Sequence, residues 1–548
     1  MMLAQMMNRP LLISSLIAHA GKWHGDREIV TKTVEGPIHR YTWAECEVRA
    51  KQVAQAMARL GVRPGDRVGT LAWNTYRHVE AYYGISGMGA ITHTINPRLF
   101  PEQLEYVVNH ADDQYLLIDL TFIDLVAALL PKAPGVKGVI VMTDRDHMPD
   151  VSGLRNPICY EDLLAAESGA YEWPILDENA AAALCYTSGT TGNPKGALYG
   201  HKSTIIHTLS EIAPDCMGLS AKDTVLPVVP MFHVNAWGIP YATAAVGSKL
   251  VLPGRDLDGK SIYDLLTSEK VTFTAAVPTI WMMLLAHMKE VDGRLDDLDR
   301  VVIGGSACPR AMMETFQDKY GVQVLHAWGM TEMSPLGTLN TPKSKHDGLS
   351  KTELVDLQQS AGRPLYGVDM KIVDENGETL PNDGETTGEL KVTGPWIIAD
   401  YFNIPEKAPA HAEDGWFATG DVCAIDGDGY IWITDRLKDV IKSGGEWISS
   451  IDLENIAVGH PKVAEAAAIG MPHPKWDERP LLVVVKTGDG QDLGKDDVLA
   501  YLDGKIAKWW TPDDVVFVED LPHTATGKLS KLQLRERFKD YVLPTASG

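Results

Sequence analysis

Residues 186–196 read YTSGTTGNPKG, a run of hydroxyls and glycines that ends on a lysine. Small side chains leave backbone N–H groups open, and hydroxyls add donors, so such a stretch suits the oxygens of a phosphate chain. It is not a loop of the GxxxxGK[ST] kind. Pro194 stands where the second glycine belongs, and Gly196 follows Lys195 where a hydroxyl would meet magnesium. A plain Gly/Thr turn after the apolar run Ala180–Tyr186 is the alternative, and this stretch alone does not decide between them.

Five further stretches carry groups of the right kind. PMFHVNAWG (230–238) sets His233 beside Phe232 with Trp237 near, a pocket mouth in which the imidazole could face a carboxylate; a packed core histidine is the commoner arrangement. In HAWGMTEMSP (326–335), Trp328 offers an aromatic face to a purine, and Thr331 and Glu332 offer hard oxygens to Mg²⁺. FATGDV (417–422) ends a tight turn on Asp421, able to accept from two ribose hydroxyls, although a turn aspartate more often has no ligand. TDRLKDVIKSGGEWIS (434–449) gathers Arg436, Lys438 and Lys442 near the pair Gly444–Gly445. TATGKLSKLQLRERF (524–538) puts Lys528 at a turn loosened by Gly527, ahead of a helical pattern. The formal net charge of −23 argues against a polynucleotide partner, and it requires that an anion site collect its own positive charge. The last two stretches supply that charge.

The elements that must hold these residues alternate. Thr42 with Glu45 forms a capping box; Val53, Met57 and Leu60 follow at helical spacing, and Gly61 can end the helix. Short apolar runs at 67–72, 115–118, 136–142, 249–252, 272–277 and 300–303 alternate with helical stretches, the pattern of an α/β fold with mainly parallel sheets. From about 362 to 436, Asp/Gly turns separate short strands, which reads as a small β subdomain. Beyond Asp435 the order expected is helix, strand, helix, strand, then a turn and a final helix, enough for a separate small α+β domain; the boundary is set within 436–439. A chain of 548 residues calls for two to four domains. The N-terminus reads as a helical lead-in and not a signal peptide, no apolar run reaches bilayer length, and the six scattered cysteines lack a CxxC pair. A cytoplasmic protein with reduced thiols is the expectation.

In this order and spacing the six stretches resemble the acyl-CoA synthetases of the adenylate-forming superfamily, which also holds luciferases and peptide-synthetase adenylation domains; the resemblance runs from roughly residue 40 to 540. It implies ATP, Mg²⁺ and CoA as reactants. A carboxylate attacks the α-phosphate of ATP to give an acyl-adenylate, which a thiol then discharges. On this reading Thr187, Ser188, Gly189, Thr190, Thr191, Gly192 and Lys195 form the loop for the β- and γ-phosphates. Thr187 and Glu332 match the metal ligands, and Lys528 the lysine bridging carboxylate and α-phosphate. Gly305, Ser306, His326, Ala327, Trp328, Gly329, Met330 and Thr331 fall at the adenylate site, while Asp421 and Arg436 match the ribose contacts. Lys438 matches a hinge about which residues 437–548 rotate as a lid against 1–436; Lys442 and Trp447 fall near the adenylate, and Ser443, Gly444 and Gly445 on the pantetheine path.

His233, Trp237, Gly305, Met330 and Met333 would line the acyl pocket, with Trp237 where the fatty-acyl branch has its gate. Trp328 stands where many members have Tyr; it keeps the stacking face and loses the hydroxyl. HTINPRLFPEQL and HPKWDERPLLVV are similar to medium-chain and methylmercaptopropionate–CoA ligases, which implies a short or medium apolar acid as substrate. Two other outcomes stay open: an adenylating enzyme that loads a carrier-protein thiol, and a silent nucleotide binder. A homodimer is implied by the resemblance alone.

Overall fold

The computed structural model describes residue 2 and residues 4–187, 193–404, 415–444, 446–523 and 529–547. Among these residues the strands form four sheets. One has seven strands, from Pro157–Cys159 through Arg67–Leu71 to Ala181–Tyr186 and Gly196–Gly200; all its pairings are parallel except the last. A second has nine strands, whose central members Thr224–Pro227, Phe273–Ala276, Arg300–Gly304 and Gln323–Gly329 run parallel. Helices cover these sheets, as parallel pairing through crossovers demands. The large N-terminal part is therefore α/β and rich in parallel sheet.

The capping box is present: the Thr42 hydroxyl accepts from the Glu45 N–H, and the helix Trp43–Arg59 follows, with Gly61 at φ 85° beyond its end. One strand in from the edge of the nine-stranded sheet, Leu336–Leu339 runs antiparallel to Gln323–Gly329. That reversal returns the chain past the ends of the parallel strands, where ligands of open α/β sheets bind. A four-stranded antiparallel sheet follows, from Asp369–Val373 to Ile431–Arg436. It carries Asp421 and Arg436 directly across from each other on neighbouring strands.

The C-terminal part folds on its own sheet and cores. One expectation needs correction. Between the helices Ser450–Val458 and Lys495–Leu502 the chain makes two long antiparallel strands, Val463–His473 and Asp477–Lys486, instead of one. Their turn holds Lys475 and Trp476, polar and amphipathic residues without the usual Asn-Gly signal. The two parts meet at Asp435, whose Oδ2 accepts from the N–H of Ser450, 2.8 Å away, and from the Ser450 hydroxyl; within the C-terminal part Arg535 pairs with Asp439 at 2.7 Å.

Candidate active site

The stretch 186–196 joins the last two strands of the seven-stranded sheet, whose register ends on Tyr186 opposite Gly196. Thr187 and Lys195 continue the pairing. The Thr187 N–H donates to the Lys195 carbonyl at 2.9 Å, and the Lys195 N–H donates to the Thr187 hydroxyl at 3.1 Å. Both ends of the loop are thus fixed before any ligand arrives. Ser188, Gly189, Thr190, Thr191 and Gly192 lie outside the described residues.

Glu332 reaches this hairpin through a residue that the sequence reading did not single out. The Tyr401 hydroxyl donates to Glu332 Oε1 at 2.6 Å, and the Lys195 ammonium lies 5.0 Å from the centre of the Tyr401 ring. Backbone pairing of Tyr401 with Ala197, and of the Phe402 N–H with the Gly196 carbonyl, holds the ring in place. Burial, followed by the neighbouring carboxylate, pushes the Tyr401 hydroxyl up, so it stays protonated and acts as a donor. Glu332 itself is 7% exposed and sits in a tight turn whose Thr331 carbonyl accepts from Tyr199. A glutamate at the end of a strand would ordinarily be solvated; this one is buried and oriented.

The second cluster spans two sheets. Trp328, on Gln323–Gly329, donates its indole N–H to Asp421 Oδ2 at 3.0 Å, and Arg436 Nε meets Asp421 Oδ1 at 2.7 Å. His326 donates from Nδ1 to the carbonyls of Ser360 (2.9 Å) and Gln358 (3.1 Å); its pKa is lowered by burial, and it ties the strand to the loop after the helix Lys351–Gln359. Gly329 must be glycine: a Cβ there would sit 2.1 Å from the Pro335 carbonyl oxygen. Met330 donates its N–H to that same carbonyl.

A third group surrounds Trp237. A Cβ at Gly304 would lie 3.0 Å from the Ala327 carbonyl oxygen and 3.3 Å from the Trp237 indole, so the indole rests on the end of Arg300–Gly304. Gly305 follows at φ 83° and Ser306 is exposed beside it. His233 precedes the turn Val234–Trp237, in which four non-glycine residues have φ between 47° and 58°. A left-handed turn of this length costs about 1–2 kcal/mol per residue, and such strain concentrates at functional sites. Gly238 completes it, pressed against the buried Glu211 carboxylate. Met333 is fully buried in the main core, packed on Gly337; Met330 is only partly buried.

The C-terminal residues gather on their own sheet. Lys442, Ser443 and Trp447 lie on the hairpin Ile441–Ser443 and Glu446–Ile448. Gly444, at φ 64°, donates to the Trp476 carbonyl at 2.8 Å, and Arg479 donates to the Ser443 hydroxyl. Lys438 lies in the exposed turn between Ile431–Arg436 and Ile441–Ser443. Gly445 and Lys528 lie outside the described residues; the flanks of the latter, His523 and Leu529, pair antiparallel.

Residues 17–402 match the family of AMP-binding enzymes, and residues 452–528 match the AMP-binding enzyme C-terminal domain. The chain is 53% identical over 541 residues to a 3-methylmercaptopropionyl-CoA ligase of Ruegeria lacuscaerulensis, covering 98% of this chain and 99% of the relative. It is 50% identical over 547 residues to a medium-chain-fatty-acid–CoA ligase of Ectopseudomonas oleovorans, covering 100% of both. Among solved structures it is similar to an anthranilate CoA ligase in complex with anthranoyl-AMP, with a TM-score of 0.86 at 25% identity over 98% of this chain and 99% of that one.

Proposed function

The chain belongs to the AMP-binding enzyme family, and from this we propose that it is an ATP-dependent acyl-CoA ligase. Its substrate is a short- or medium-chain apolar carboxylic acid, a fatty acid or a methylmercaptopropionate-like acid, activated through an acyl-adenylate with release of AMP and pyrophosphate. The relatives at 53% and 50% identity, named for methylmercaptopropionate and for medium-chain fatty acids, support this substrate class. The observation that carries the reading is the join made by Tyr401, which brings a buried, oriented carboxylate to the mouth of a lysine-bearing phosphate hairpin.

The donors present fit a magnesium–nucleotide complex. Mg²⁺ takes one or two protein oxygens and completes its shell with phosphates and water. Glu332 accepts one hydrogen bond from Tyr401 on a group with about four acceptor positions, and the Thr187 hydroxyl accepts one N–H and keeps its own proton. Glu332 and Thr187 would hold the ion, which supplies charge neutralisation on the triphosphate. Lys195 adds positive charge beside the phosphates. Asp421 and Arg436 hold the ribose, Trp328 faces adenine, and Lys528 bridges the attacking carboxylate and the α-phosphate as a point charge on a flexible stem. Fixing two anions in line is the main catalytic demand of this step.

For the second step residues 437–548 turn as a lid about Lys438, withdrawing Lys528 and bringing the Ser443–Gly445 segment to the thiol. The acid's chain lies between Trp237, His233, Gly305 and Met330, while Met333, fully buried against Gly337 behind the Trp328 ring, packs in the core and not along the pocket as the sequence suggests. No helix of the described residues is long and apolar enough to cross a membrane, and a cytoplasmic homodimer is part of the proposal. The test is pyrophosphate release from ATP and Mg²⁺ across acids from acetate to palmitate, with methylmercaptopropionate and an aryl acid, with and without CoA. Acid-dependent release that turns over only with CoA is the expected result. Adenylate that CoA cannot discharge would favour carrier loading, and no release from any acid would leave a silent nucleotide binder.

A further inference from the structure

Resting on the nucleotide reading above, we propose that Trp328 is the positioning residue for the ribose-binding carboxylate: its indole N–H fixes the orientation of Asp421, so selection for a ribose diol depends on the side chain at 328 as well as on the aspartate.

Trp328 and Asp421 come from strands of two different sheets, 93 residues apart in the chain, and are 8% and 2% exposed. Their 3.0 Å contact is a charge-assisted hydrogen bond in a buried place, the kind whose loss leaves an acceptor short. The indole cannot easily turn away from it. A Cβ at Gly337 would fall 2.8 Å from Trp328 Cζ3 and 2.6 Å from Met333 Cε, so the back of the ring is packed against Gly337 with Met333 alongside.

The carboxylate is held at two points, and its own backbone at a third. Arg436 Nε lies on Oδ1, the indole lies on Oδ2, and the Asp421 N–H donates to the Thr419 hydroxyl. Each carboxylate oxygen then keeps about one further acceptor position, which is what a vicinal diol requires. The two side-chain anchors differ. Arg436 is 41% exposed and ends its strand just before the turn at Lys438, whereas Trp328 is buried inside the nine-stranded sheet. Trp328 is therefore the anchor that stays when the chain beyond Arg436 moves. A phenyl or phenol ring at 328 keeps a flat face for adenine and places no donor at this edge.

The experiment measures ATP and 2′-deoxyATP affinity by calorimetry, and KM for both nucleotides in acid-dependent pyrophosphate release, for wild type, Trp328→Phe and Trp328→Tyr. Melting temperatures serve as the fold control. Loss of the N–H is expected to weaken ATP about tenfold while changing 2′-deoxyATP much less, so the preference for the ribonucleotide shrinks by about the same factor. The Tyr variant, with face and bulk kept, is expected to follow the Phe variant. Equal weakening of both nucleotides by either folded variant would mean that Trp328 only stacks, and the proposal would fall. A wild type that neither binds ATP nor releases pyrophosphate would overturn the ligase reading instead.

Discussion

Tyr401 does at the residue scale what no local pattern announces. Its hydroxyl donates to a buried carboxylate and its ring lies under the Lys195 ammonium, joining two segments of the candidate site. Tyr401→Phe keeps the ring and removes the donor, leaving buried Glu332 short of a partner. A hydrogen bond to a charged group is worth about 1.5–3 kcal/mol, so kcat/KM for acid-dependent pyrophosphate release is expected to fall about tenfold to a hundredfold while the melting temperature moves little. Steady-state kinetics beside a thermal melt decides it; a Phe variant at wild-type kcat/KM would show that Glu332 needs no such support. The candidate groups themselves were legible because their residue types are unusual together: hydroxyls with glycines, an acid beside a tryptophan, cations in an acidic chain. Tyr401 was not, because ADYFN contains nothing odd, and its role arises only when it pairs with Ala197 across the sheet. The facing of Asp421 and Arg436 likewise depends on strand register, which spacing does not reveal.

At the scale of elements, the alternation of short apolar runs and amphipathic stretches carried the architecture well. The run at 249–252 became the strand Lys249–Leu252, and 300–303 became Arg300–Gly304, because fully buried parallel strands need near-continuous apolar residues. The helix start at Thr42 was readable because a capping box satisfies donors locally, independent of what the helix packs against. Three features were not readable. The left-handed turn Val234–Trp237 has a β-branched residue and no glycine before Gly238, so its local propensities point elsewhere and packing imposes it. The reversal to antiparallel pairing at Leu336–Leu339 is set by the close approach of Gly329 to Pro335. The doubled strand of the C-terminal part is hidden because its turn at Lys475 and Trp476 carries no Asn-Gly signal, while the backbone pairs on through Asp477–Lys486.

Taken whole, the molecule is strongly acidic, and buried histidines add a distinct acid-sensitive contribution to its stability. His78 and His201 are fully buried, and burial pushes both down to about 4. His201 Nδ1 accepts from the Ile13 N–H; His78 is held between the Trp73 carbonyl and the Thr70 hydroxyl. Their folded pKa values lie below the unfolded 6.5, so the unfolded chain binds these protons first, and stability is lost as pH falls from about 6.5 to about 4. Each histidine costs on the order of 2 kcal/mol by pH 5. Asp119 and Glu454, raised to about 7 by burial, pull the opposite way over the same window, so the informative quantity is a difference between proteins. His201→Gln keeps an acceptor for Ile13 and cannot titrate. Urea denaturation at pH 7 and pH 5 is expected to show a smaller acid loss for the variant, by about 2 kcal/mol; equal losses would mean that His201 is protonated in the fold.

In the proposed route the carboxylate itself attacks the α-phosphate of ATP before CoA arrives. The most direct measurement is the fate of ¹⁸O from a doubly labelled carboxylic acid turned over with ATP, Mg²⁺ and CoA, read by mass spectrometry of the nucleotide and the thioester. An acyl-adenylate route predicts one ¹⁸O in AMP and one retained in the thioester carbonyl. Unlabelled AMP, or label appearing in inorganic phosphate beside ADP, would contradict it.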